Sequence, residues 1–109
     1  MIDALRYGQD ADAISHEITR RLIALGADWA DPAQMRALAE EMLSPTTLHK
    51  IREQAGGGDH LAQAKLDLFG LSGIMLKSME HSAEQGILAH GNDAWKAFAK
   101  ALWQVKDGR

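Results

Sequence analysis

DHLAQAKLDLFGLSGIMLKSMEHSAEQ, residues 59–85, is the stretch whose reading decides the fold. It holds no Pro, and its apolar residues recur at helical spacing. Leu61, Ala64, Leu68, Leu71, Met75 and Met79 fall in one stripe at about 100° per residue, widened by Phe69 and Leu76. Asp59 stands where a helix needs a cap, and Gly86 followed by Ile87 reads as a glycine-terminated end. The pattern predicts one long helix from an Asp59 cap to about Gln85. Its apolar arc is wider than a one-sided helix needs. Leu66 and Ile74 lie outside the arc beside Gly70 and Gly73, so the middle of this helix is expected to be contacted from more than one side.

The rest of the chain reads as helices as well. Asp31-Pro32 and Ser44-Pro45 each place a capping residue before a Pro whose missing N–H costs nothing at a helix start. A first helix from Asp10 or Asp12 to Leu25 carries Ala11, Ile14, Ile18, Leu22 and Leu25 inward, pairs Glu17 with Arg21, and ends at Gly26. Residues 1–9 are expected to form an arm. A second helix, Pro32 to Leu43, sets Met35, Leu38, Ala39 and Met42 against Arg36, Glu40 and Glu41. The third, Pro45 to about Ala55, turns Leu48 and Ile51 inward and His49, Lys50, Arg52 and Glu53 outward. The last begins at Asn92 or Asp93, runs to about Lys106, and carries Trp95, Phe98, Leu102 and Val105 on one side. Trp29, between the first two helices, is expected to plug one against the other. The expectation is an all-α single domain, a compact five-helix bundle with a long central fourth helix and an amphipathic C-terminal fifth.

Composition narrows the function classes. With 109 residues, 46% hydrophobic and 25% charged, the chain has the balance of a globular domain. Twelve Lys and Arg against fifteen Asp and Glu give a net charge of −3, which argues against indiscriminate binding to nucleic acid or anionic lipid. There is no Cys, hence no disulfide, thiolate ligand or cysteine nucleophile, as suits the cytoplasm. No apolar run approaches the roughly 18 residues of a membrane span, and the first residues lack the pattern of a signal peptide.

Catalytic patterns are missing. Gly56-Gly57-Gly58 lacks the Lys and Ser/Thr of a phosphate loop and follows no strand, and no Gly-x-Ser-x-Gly elbow occurs. His81-x-x-Glu84 with His90 reverses the Glu-x-x-His order of di-iron bundles, and reads as a solvated helix end instead. His16, His49 and His60 are dispersed. Met35, Met42, Met75 and Met79 could line a ligand pocket or fill a core. The expectation is a protein that is not an enzyme and needs no metal or cofactor.

Residues 38–51, LAEEMLSPTTLHKI, carry a second pattern. They resemble the core of the helix-turn-helix regulators, in which Leu-Ala-Glu lies on the supporting helix and Ser-x-x-Thr-Leu-x-x-Ile opens the recognition helix. Leu43 stands where that family has Gly, and one residue fewer precedes Ser44. The resemblance implies that Thr46, Thr47, His49, Lys50 and Arg52 face a DNA groove. Ser-Pro as a plain helix start explains the same letters.

The other signal is surplus apolar surface near the carboxyl end. Trp103 lies about 80° around the helix from Trp95, next to Lys96 and Lys100, while Ala94, Ala97 and Ala101 line a third direction. Ile87 and Leu88 add apolar side chains between the last two helices. An end helix apolar on most sides asks for a cover. The expected contact set is Leu66, Gly70, Ile74, Trp95, Phe98, Leu102 and Trp103, rimmed by Lys96 and Lys100. It implies a regulatory protein that forms a homodimer and binds a larger protein to inhibit or modulate it, as an anti-activator of a transcription factor or a toxin-neutralising protein does.

Overall fold

The helix boundaries follow from capping chemistry at four of the five starts. The computed structural model describes the backbone of residues 4–84 and 91–108 and the side chains of 12–77 and 91–108. The elements are α1 (Ala4–Ala24), α2 (Pro32–Leu43), α3 (Pro45–Gly56), α4 (His60–Glu84) and α5 (Asp93–Lys106), and all regular structure among the described residues is helical. Asp31 accepts from the Ala33 N–H at 3.0 Å. Asp59 accepts from the N–H groups of Leu61 and Ala62 at 3.0 and 3.1 Å. Asn92 accepts from the Trp95 N–H at 3.0 Å. Each such cap contributes about 1 kcal/mol.

Ser44 caps on both sides: its N–H donates to the Glu41 carbonyl, and its hydroxyl accepts from the Thr47 N–H at 3.4 Å. Gly26, at φ 68, ends α1 with its own N–H on Ile23 and the Ala27 N–H on Leu22. Only that left-handed residue lets both orphan carbonyls be met, and an L side chain there would be strained.

One boundary differs from the expectation. The helix α1 begins at Ala4, so the stretch read as an arm is helical from there. Gly8 costs about 1 kcal/mol in a helix, which is too little to stop one flanked by Ala4, Leu5, Arg6 and Gln9.

The helix α4 packs against α1 and α3, α5 against α2 and α1, and α2 against α3. The five helices thus close a ring around one core. Into it point Ile18 and Leu22 of α1, Met35, Leu38 and Ala39 of α2, and Ile51 of α3. From α4 come Ala62, Leu68, Phe69 and Met75, and from α5 Trp95, Phe98, Ala101 and Leu102. Fully burying a side chain of this size stabilises by about 1.5–3 kcal/mol. Ser72 is buried within the apolar wall of α4 and satisfies its hydroxyl on the Leu68 carbonyl at 2.7 Å. Leu61 departs from the stripe read in the sequence. It lies on the inward arc, but at the first turn, where it borders an open depression of about 350 Å³ beside Leu25, Ala37, Leu38 and Lys65. Met79 and the residues at the far end of α4 lie outside the described side chains.

Polar ties lock the ring. Lys65 of α4 meets Glu41 of α2 at 2.8 Å, so Glu41 is paired and half-buried rather than turned to solvent as the sequence suggested. Arg21 joins Glu17 at 3.7 Å, and its Nε lies 3.5 Å from Asp67 of α4 without hydrogen-bond geometry. The Asn92 side chain donates to the Thr19 hydroxyl at 2.9 Å and to the Ser15 carbonyl at 3.3 Å, which pins the start of α5 to α1. Because Lys65 and Glu41 both keep more than a quarter of their side chains exposed, Glu41→Gln is expected to lower stability by no more than about 1 kcal/mol. The urea midpoint reads that change directly.

Candidate functional site

The helix α5 is two-sided by sequence. Ala94, Trp95, Phe98, Ala101 and Leu102 recur at steps of three and four and are buried, while Lys96, Lys100, Trp103 and Lys106 are exposed. Trp103 is eight residues beyond Trp95, so it stands about 80° off the buried stripe. The result is an indole that is 58% exposed. It borders a groove of about 210 Å³ formed with Leu43, Leu76, Leu102 and Lys106 where α2, α4 and α5 meet. Leu43, the last residue of α2, is 43% exposed at the same place. The Lys106 ammonium lies 5.7 Å from the Trp103 ring centre, a cation–π contact over one face of the indole.

The structure distributes the expected contact set differently from the sequence reading. Trp95, Phe98 and Leu102 are almost wholly buried, with relative exposures of 1%, 0% and 4%. They belong to the protomer's own core, because α5 needs them to fill the space between α1 and α2. Only Leu102 also reaches the groove. Leu66 is half-buried against the core, Gly70 is exposed, and Ile74 is 56% exposed. Ile74 and Leu76 are two positions apart and so about 200° apart around α4. Ile74 therefore faces away from the groove that Leu76 lines, and the single surface drawn from the sequence becomes two. The alanine side of α5 is covered from within: Trp29, Pro32 and Met35 border a cleft with Ala97 and Ala101. Trp29 is half-buried against the core and borders the α2–α5 junction. Ile87 and Leu88 lie outside the described residues.

At the α2–α3 corner, Leu38, Ala39 and Ile51 are buried, and Leu48 is half-buried. Thr46, His49, Lys50 and Arg52 are exposed, and Thr47 is half-buried. The corner is one residue long: Ser44 alone, in extended backbone at φ −98 and ψ 110, separates the helices. Helix-turn-helix units use a turn of about three or four residues. His49 also lies 3.0 Å from Glu53, so a carboxylate shares the face that a DNA backbone would approach.

Met35 and Met75 fill the core and Met42 is half-buried; of the three, Met35 alone borders one of the depressions described above, the cleft beside Trp29. Among the described residues, no three His, Asp or Glu side chains gather as a metal site requires. His81, Glu84 and His90 lie outside the described side chains.

Leu43 and Lys106 were missed in the sequence. Leu43 reads there as the last residue of the second helix, and the signal that could have marked it as a surface residue is that place directly before Ser-Pro. No helix of the described residues is long and apolar enough to cross a membrane. No family model, no curated protein and no solved structure matches this chain.

Proposed function

We propose that this chain is a non-enzymatic interaction protein that pairs with a second copy and docks on a larger protein to inhibit or modulate it. The observation that carries the reading is Trp103, a large apolar side chain left 58% exposed beside Leu43 in an apolar groove. Aromatic anchors of this kind dominate the energetics of protein interfaces, at about 2 kcal/mol or more each.

The outer strip of α4 supports the pairing. Among the described residues, a Cβ added at Gly70 or Gly73 would meet nothing within 4 Å, so no described neighbour requires either glycine. Each costs about 1 kcal/mol relative to Ala in a helix. A second backbone approaching beside Ile74 gives that cost a purpose.

Sedimentation at micromolar concentration is expected to return twice the 11.9 kDa chain mass, and Ile74→Arg to return the monomer. Gly70→Ala is expected to raise the stability of the isolated protomer by up to about 1 kcal/mol while weakening the pair. A merely structural glycine would do the reverse. Trp103→Ala leaves pairing intact and abolishes co-purification of the larger partner from the native host under nuclease treatment. A strict monomer that captures no protein sinks the reading. Duplex DNA binding that falls steeply with salt and disappears in K50E/R52E would instead favour the regulator family that residues 38–51 resemble.

A further inference from the structure

We infer that the exposed face of α5 takes an acidic amphipathic helix from another protein. An apolar side chain of that helix would seat in the groove of Leu43, Leu76, Leu102 and Trp103, and its carboxylates would stand against Lys96, Lys100 and Lys106. This rests on the interaction reading above and gives the partner a chemistry.

Charge complementarity is the main argument. The chain as a whole carries −3, yet α5 holds three Lys and one acidic residue, Asp93. Arg20, Arg21, Arg36 and Lys65 each have a carboxylate within ion-pair distance. Among the described residues, Lys50, Arg52, Lys77, Lys96, Lys100 and Lys106 have none and are exposed, and the last three stand together on α5. Lys100 and Lys106 lie three positions before and after Trp103, and Lys96 lies seven before it, so the indole is ringed by cations on one face. A partner bringing carboxylates would supply the missing counter-charges and be steered toward the face by them.

Other occupants fit less well. A second copy across a two-fold axis would set the same lysines against themselves, because such an interface repeats one patch. At about 210 Å³ the groove is smaller than the roughly 300–1,000 Å³ of small-molecule sites, and it suits one or two side chains. Nucleic-acid bases could stack on Trp103, but they would leave Leu43 and Leu76 without an apolar partner. A helix presenting anchors at i, i+3 or i+4, and i+7 answers both the grease and the charge.

The test uses the full chain and two fluorescein-labelled helical peptides with identical Leu anchors, one flanked by Glu and one by Lys, read by anisotropy. The Glu peptide is expected to bind at least about tenfold tighter than the Lys peptide, with affinity falling as salt rises. Trp103→Ala should weaken it about tenfold or more. K96E/K100E/K106E, whose side chains are exposed, should invert the preference toward the Lys peptide while the circular dichroism stays unchanged.

Equal affinity for the two peptides, no binding of either, or indifference to Trp103→Ala overturns the inference. So does tighter binding to a single-stranded oligonucleotide or to phosphatidylglycerol vesicles. Failure alongside a concentration-dependent dimer removes the acidic-helix partner alone. Failure alongside a strict monomer that captures nothing removes the wider reading as well.

Discussion

Phe98→Ala is expected to destabilise the protein by about 3–5 kcal/mol, the range for truncating a buried Phe with incomplete collapse of the space it leaves. The ring is 0% exposed, on the helix that fills the gap between α1 and α2. Domains of this size are stable by about 5–15 kcal/mol in all, so the variant retains a small margin or none. Urea denaturation followed by circular dichroism measures the loss. Trp103→Ala, with its indole mostly in water, is the internal control and should cost well under half as much. If the two variants behave alike, Phe98 is not the anchor of α5. The division of that helix into a core side and a free side then fails.

Gly91→Ala carries the second large effect, though it adds only a methyl group. A Cβ at Gly91 would overlap Cδ1 of Trp95, stand 2.7 Å from its Cγ, and reach the Ser15 hydroxyl at 2.9 Å. Neither neighbour is the loose end of a flexible chain. The Trp95 ring is locked in the core, and Ser15 is 1% exposed. Overpacking at such a site typically costs about 1–3 kcal/mol, and the strain falls on the residue beside Asn92, whose bonds hold α5 to α1. Gly91→Ala should therefore lower the denaturation midpoint, and it should speed exchange of the Asn92 and Trp95 amides before the rest of the molecule opens. Unchanged stability would show that the Gly91 backbone can withdraw from the indole. The opposite sign expected for Gly70→Ala makes the pair a sharp comparison, because the same substitution enters open space there.

The architecture was legible because the determinants of helix ends are local. Asp31-Pro32, Ser44-Pro45, Asp59, Asn92 and Gly26 act within a turn of their own positions, and each does in the structure what its chemistry implies. Periodicity likewise separated Trp103 from Trp95. What sequence could not supply was the pairing of distant segments. Ser15 and Asn92 are 77 positions apart, and nothing periodic links them. Leu43 joins a groove only because α4 and α5 arrive beside the end of α2. Leu61 shares the angular position of core residues, but it borders an open depression shared with Leu25, Ala37 and Leu38 and stays 58% exposed. The candidate contact set was drawn too broadly for the same reason. A stripe shows which residues avoid water together, and only the third dimension shows whether their own chain already shelters them.

The closed circuit of helices has a kinetic consequence. Its seam between α1 and α5 joins the segments most remote along the backbone, and loop-closure entropy makes such a junction slow to nucleate compared with the adjoining α2–α3 and α3–α4 corners. The seam shuts late, after the corners have condensed. Perturbing Ser15, Gly91 or Asn92 should accordingly shorten the lifetime of the native state more than it delays its formation.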